Sequence, residues 1–167
     1  MKAGFALIEL LVVLVIIGLV SAVVVPRLFS TLGNLNLKTA AQQTAATLRY
    51  DRSKAVAEKL SRAAVFNLEA RSVRCFSMGV VSSVEKQDRI EAAKADMTFQ
   101  MPEGVRIQKA VFGEDVYETG EFTVLFYPNG SSTGGAVVLA GESGKRFEIM
   151  IDAITGIVKV SDLGRDG

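Results

Sequence analysis

Apolar residues are spread unevenly along this chain. From Leu10 to Pro26 no residue carries a charge, and Leu10–Ile17 is apolar at every position. A helix that is greasy all round belongs in lipid or among other helices, not half-exposed on a soluble domain. Phe5–Val25, as an α-helix, extends about 32 Å, which matches a hydrocarbon core of about 30 Å. The pattern therefore predicts a membrane-spanning helix. Lys2 and the N-terminal amine precede it and Arg27 follows, so the charge bias for orientation is weak. A short leader inside and a large domain outside is the simplest topology.

Beyond Pro26 the pattern stays helical but becomes one-sided. Leu28, Leu32 and Leu35 recur at steps of four and three, as one helix face requires. Ala40, Ala41, Ala45, Ala46, Leu48, Ala55 and Ala57 continue a helix-favouring stretch. The expectation is one long helix from about Phe5 to about Lys59, bent near Pro26, where a backbone hydrogen bond is lost, and near Gly33. On its wet face Asp51 is expected to pair with Lys54, and Glu58 with Arg62.

From Arg62 the period shifts towards two. Phe122, Val124 and Phe126 share one face and Thr123, Leu125 and Tyr127 the other; Phe147, Ile149 and Ile151 alternate with Glu148, Met150 and Asp152. Short runs rich in Val, Ile and Phe also occur at Ala63–Leu68, Val73–Ser77, Val105–Ala110, Ala136–Ala140 and Ile157–Val160. Turn residues separate them at Pro102–Gly104, Pro128–Gly130, Gly141–Gly144 and Thr155–Gly156. This is a mostly antiparallel sheet domain following a helix, an α+β chain. Glu85–Lys94 has no strand-like face and reads as a loop or a short surface helix.

Composition narrows the chemistry. Of 167 residues none is His and one, Cys75, is Cys. A Ser-His-Asp triad, a Cys/His zinc site and an internal disulfide are thereby excluded. The net charge of +1 gives no global field for nucleic acid. Asn129–Gly135 lacks the lysine and following helix of a phosphate loop, and Asn-Gly favours tight reversal, so it reads as a turn. Asp152, Asp162 and Asp166 are too scattered for a calcium loop. Cys75 lies in an apolar-alternating strand with no His to activate it, so it reads as a buried thiol. Arg71 with Arg74, and Lys145 with Arg146, read as small basic patches or as charges that discourage strand-edge pairing.

Two residues do not suit a generic anchor. Glu9 places a carboxylate inside the apolar run, at a cost of about 2.5–3.5 kcal/mol at the membrane centre and less near the interface. It is either solvated at headgroup level or held by a partner. Gly4 stands alone between the basic leader and Phe5. Together, Lys2-Ala3-Gly4 followed by Phe5-Ala6-Leu7-Ile8-Glu9-Leu10 resembles the class III signal of type IV pilins and type II secretion pseudopilins. In that family a prepilin peptidase cuts after the glycine and methylates the new amine. The resemblance implies a cut between Gly4 and Phe5, an N-methylated Phe5, and Glu9 as the family's characteristic glutamate. Gly18 and Pro26 fall where members often carry a glycine and a proline that bend the helix. Ala3 departs from the more usual basic residue. An ordinary secretory signal cut at Val20-Ser21-Ala22 is the competing reading; Glu9 and the continued run Val23–Val25 argue against it.

Three further stretches resemble H-type minor pseudopilins of type II secretion. They are Leu48–Ala55 at the helix end, Phe126–Gly135 at a strand–turn–strand, and Ile151–Val158 at a closing hairpin. Arg71–Phe122 matches nothing in that pattern. The resemblance implies a pilin-like fold with a leader at 1–4, an assembly helix at 5–26, an amphipathic continuation at 27–60 and a periplasmic β-rich domain at 61–167. It implies a structural subunit, not an enzyme, without cofactor or metal. Its partners would be other pseudopilins, the prepilin peptidase and the bacterial inner membrane, with no nucleic acid. The expected function is that of a minor subunit of a pseudopilus that helps export folded proteins across the outer membrane. The alternative is a minor type IV pilin serving adhesion, motility or DNA uptake.

Overall fold

The computed structural model describes the backbone of residues 3–78 and 95–165, and the side chains of residues 7–21, 33–78 and 95–165. A single helix, α1 (Ala3–Glu58), runs without interruption. It stops at Lys59, whose φ of 55° is left-handed and cannot continue a helix. Nine strands follow among the described residues: β1 (Ser61–Asn67), β2 (Ser72–Met78), β3 (Met97–Gln100), β4 (Val105–Phe112), β5 (Asp115–Tyr117), β6 (Glu121–Phe126), β7 (Gly135–Gly141), β8 (Lys145–Ile151) and β9 (Val158–Arg165). They form two sheets, ordered β3-β2-β1-β6 and β5-β4-β7-β8-β9. Every pairing is antiparallel.

The buried stripe of α1 is Leu37, Ala40, Ala41, Thr44, Ala45, Leu48, Asp51 and Ala55. It recurs at steps of three and four, and its small residues let the sheets approach the helix backbone. Leu35 is 55% exposed, so the leucine series does not mark the core face. Leu35 and Leu37 are about 200° apart around a helix, on opposite sides. Leu28 and Leu32 lie outside the described side chains, as do Phe5 and Pro26 and the surroundings of Gly4.

One core joins this stripe to both sheets. Ala64, Phe66, Val73, Val124 and Phe126 come from the first, and Val105, Ile107, Val137, Leu139, Ile149 and Ile151 from the second. The alternation in β6 and β8 is the one expected: Phe122, Val124, Phe126 and Phe147, Ile149, Ile151 point inward. β1 departs from it, with Arg62–Phe66 all buried. Ala63 and Val65 join Phe76 in a second, smaller cluster on the outer face. β3 and β5 had no signal in the sequence, because these edge strands are short and almost wholly exposed. Glu85–Lys94 lies outside the described residues.

Candidate functional site

The three stretches singled out at the helix end, the glycine turn and the last hairpin meet in one place. Arg52, on α1, donates from Nε to the carbonyl oxygen of Gly130 at 2.9 Å. Arg49, one turn earlier, donates from Nη2 to the carbonyl of Val158 at 2.8 Å. The two turns also hold each other: Ser132 N–H donates to Ala153 O at 2.9 Å, and Ser132 Oγ donates to Asp152 O at 3.0 Å. Guanidinium groups suit this task because several fixed donors can satisfy turn carbonyls that no strand can reach.

Glycine is required where these turns touch. Gly156 has a φ of 63°, and a Cβ there would fall 2.3 Å from the Gly130 carbonyl oxygen and 2.7 Å from Arg52 Nε. A Cβ at Gly134 would fall 2.9 Å from Ala153 Cβ. The hairpin turn is closed by Asp152, whose Oδ1 accepts from the Thr155 and Ile154 amides and from Thr155 Oγ1. Those bonds, the Thr155 amide first, hold the Asp152 carboxyl below its usual range. Asn129–Gly135 is thus a structural turn, as expected.

At the junction of α1 and β1 lies a buried ion cluster that the sequence reading missed. Arg62 and Asp51 are 2% and 1% exposed and pair at 2.5 Å. Asp96 accepts from Arg62 Nη2 at 2.8 Å, and Glu58 lies 3.4 Å from Nη1. The expected Asp51–Lys54 pair is therefore replaced: Lys54 turns to Glu58 at 3.2 Å, and Asp51 faces inward. The Glu58–Arg62 pair forms, but its arginine is buried. Burial raises the Asp51 carboxyl above its usual range and the Arg62 bond opposes this. Neighbouring Cys75 is buried as expected, and desolvation, then the Asp51 charge, pushes its thiol up to about 12. The cavity between Tyr50, Asp51, Arg62 and Cys75 holds about 60 Å³, room for water and not for a substrate.

Of the residues read as basic patches or edge-guarding charges, Arg74 and Lys145 stand inside their sheets and are ion-paired, so neither guards an edge. Arg74 sits on β2, inside its sheet, and pairs with Glu121 at 2.8 Å. Lys145 pairs with Asp162 at 2.9 Å and lies 5.3 Å from the Phe147 ring centroid. Among the described residues no group of three or more Cys, Asp or Glu is placed to hold a metal.

At the other end of α1, the described apolar side chains stand uncovered. Leu7, Ile8, Leu10, Leu14 and Leu19 are 62–70% exposed. Glu9 is exposed among them, and a Cβ on Gly18 would meet nothing within 4 Å. Among the described residues no helix is long and apolar enough to cross a membrane.

Comparison with known proteins adds two findings. Residues 1–25 match the prokaryotic N-terminal methylation motif. The fold is similar to that of the minor pseudopilin EpsH from the type 2 secretion system of Vibrio cholerae. In one structure of it the TM-score is 0.55 at 10% identity, over 79% of this chain and 96% of that one. It is as similar to the type IV minor pilin FimU of Pseudomonas aeruginosa, with a TM-score of 0.53 at 14% identity over 77% and 90%. No curated protein sequence matches. The chain therefore joins an N-terminal methylation motif to a pilin-like α+β fold, the fold of minor pseudopilins and minor pilins.

Proposed function

We propose that this chain is a minor pseudopilin of the H type, a structural subunit of the type II secretion pseudopilus that helps move folded proteins across the outer membrane. The observation that carries the reading is the methylation motif at residues 1–25 standing directly before a helix-on-sheets domain like that of EpsH. The leader, residues 1–4, is removed after Gly4 by a prepilin peptidase, and Phe5 is methylated on its new amine. Residues 5–26 anchor the subunit in the inner membrane, with the domain from 61 in the periplasm and 27–60 joining the two. Gly18 and Pro26 let the helix bend as it moves from lipid into a filament. The protein acts by assembly and not by catalysis, and its partners are other pseudopilins.

The likeness to FimU favours a second reading, a minor type IV pilin. Cross-linking in the native host separates the two: capture of type II secretion pseudopilins supports the first, and capture of pilins alone supports the second. Processing is tested separately by intact mass of the membrane-extracted protein. The expected mature chain begins at Phe5 with one added methyl, and Gly4→Val leaves the precursor uncut. A chain beginning at Val23 establishes the secretory-signal reading instead.

A further inference from the structure

The glycine turn of the clasp holds a dipeptide whose chemistry the fold restrains. Asn129 is exposed to water and is followed by Gly130, which has no Cβ to hinder approach to its backbone nitrogen. Asn129 Oδ1 accepts from the Ser131 amide at 3.1 Å and from Ser131 Oγ at 2.7 Å. Both donors draw electron density from Cγ, and they stand where an oxyanion builds when a nucleophile attacks that carbon. The adjacent nucleophile, the Gly130 nitrogen, is held back. Its N–H donates to the Tyr127 carbonyl at 2.9 Å. Neither Pro128 nor Asn129 has a positive φ, so Tyr127–Gly130 is a type I turn with Pro128 at its second position. In such a turn the Asn129 ψ is about 0°, which swings the Gly130 nitrogen away from the side chain. Gly130 is pinned on its other side as well. Its carbonyl accepts from Arg52 Nε at 2.9 Å, and a Cβ on it would meet Arg52 Nη2 at 3.2 Å and Val56 Cγ2 at 3.6 Å.

We infer that Asn129 is a latent deamidation site and that the Arg52 clasp keeps it closed. When the turn opens, rotation about the Asn129 Cα–C bond brings the Gly130 nitrogen onto Cγ. That nitrogen gives its proton to solvent and bonds to Cγ; the Cγ–Nδ2 bond breaks, and Nδ2 takes up a proton and leaves as ammonia. Water then opens the resulting succinimide at either carbonyl, to aspartate or isoaspartate. One water enters and one ammonia departs, and solvent supplies every proton. The change does not reverse. A carboxylate replaces a neutral amide, and in isoaspartate the main chain gains a methylene between residue 129 and Gly130. The Gly130 carbonyl is then displaced from Arg52 and from Gly156, which packs against it with no room for a Cβ. An opening of the clasp is thereby written into the covalent chain. The inference goes beyond the assembly reading and stands for a pseudopilin or a pilin alike, since it uses only the turn and the helix.

The test is peptide mass spectrometry on the full membrane-extracted chain during incubation at neutral pH. Trypsin cuts after Lys109 and Lys145 and leaves Asn129 in a peptide with no other Asn or Gln, so the mass gain of deamidation reports this residue alone. A synthetic peptide of residues 124–136, which no clasp restrains, sets the reference rate. The folded chain is expected to deamidate at least about a hundredfold more slowly than the peptide, because reaction is confined to the open fraction. Arg52→Gln removes the bond to Gly130 and is expected to restore about tenfold of that rate. Gly144→Ala, which strains a turn elsewhere in the domain, restores nothing. Circular dichroism checks that the variants are folded; should Arg52→Gln fail, Arg52→Met, which keeps the aliphatic stem and loses the donor, is read in its place. Equal rates in the folded chain and the peptide, or in the Arg52 variant and the parent chain, overturn the inference. An equal gain in Gly144→Ala also overturns it, since global unfolding and not the clasp then sets the rate.

Discussion

Arg62 is the residue on which the junction of helix and sheet depends. It carries a charge into a site that is 2% exposed, and its closest partner, Asp51, is 1% exposed. Such a pair contributes less through attraction than its loss would cost, because removing one partner strands the other. Arg62→Met is expected to destabilise the fold by about 3–5 kcal/mol at neutral pH. Its pH dependence is diagnostic. The Asp51 pKa is already raised by burial, so its ionisation favours the unfolded chain as pH rises above the ordinary carboxylate value. Without Arg62 that pKa climbs further. The variant is therefore expected to regain stability as pH falls from 7 towards 5, read as the thermal midpoint at several pH values. A variant that only loses stability in acid refutes the account. The turn glycines give a second contrast. Gly156→Ala meets both a positive φ and a Cβ 2.3 Å from the Gly130 oxygen, whereas Gly144→Ala meets a φ of 76° and open space. Alanine at 144 is expected to cost about 1 kcal/mol, and at 156 about 3 kcal/mol or more. Equal losses at the two sites would show that the clasp between the turns contributes nothing.

The elements divide into those that hold together without the anchor and one that lies beyond the core. The core stripe of α1 begins at Leu37, and both sheets close on it. Arg27–Gly167 is accordingly expected to be soluble and folded, with circular dichroism showing helix and strand together. An insoluble or purely helical product would mean that the sheets need the anchor. The same division explains how much could be read from the chain. Seven of the strands announced themselves as apolar runs between punctuating turns, with clear alternation in β6 and β8. β3 and β5 could not, since Met97–Gln100 and Asp115–Tyr117 are edge strands with almost no buried side chain. The helix itself was legible from end to end. Its inner face was not, because Leu35 faces solvent while small alanines take the core. At the junction, Arg62 and Asp51 read as surface charges, since local spacing offers each a partner one turn away. Only the fold brings Asp96 and a second sheet strand around them. Arg49 and Arg52 lay inside the stretch singled out at the helix end, but their acceptors are backbone carbonyls 78 and 109 positions away. No sequence pattern marks a carbonyl as waiting for a donor.

The whole molecule presents an imbalance that its own domain does not correct. Apolar side chains from Leu7 to Val20 are 46–70% exposed, and nothing in the described chain covers them. Each apolar residue left in water forgoes about 1.5–3 kcal/mol of burial, so this segment must be taken up by lipid or by other helices. Lipid and a helical bundle are comparably apolar, so moving between them costs the aliphatic residues little. Glu9 differs, because a carboxylate is stable in either place only with a partner or with headgroup water. In the proposed filament that partner is the positive amine of a neighbouring subunit, freed by the cut after Gly4. Glu9→Leu separates the alternatives. If Glu9 is merely solvated at headgroup level, leucine should seat the anchor more firmly and leave assembly intact. If it pairs with the amine, leucine strands that amine in an apolar bundle, at a cost of about 3–5 kcal/mol. Incorporation would then fall more than about a hundredfold. Membrane insertion and cleavage should survive, since both precede the filament contact. The measurement is cross-linking of the variant to other pseudopilins beside its mature mass. Normal mass with lost cross-links establishes the pairing, and normal cross-links leave Glu9 an interfacial residue. The size of the loss also carries position: a subunit at a filament tip has fewer neighbours, so a smaller defect than in a major subunit places this chain near the end of the assembly.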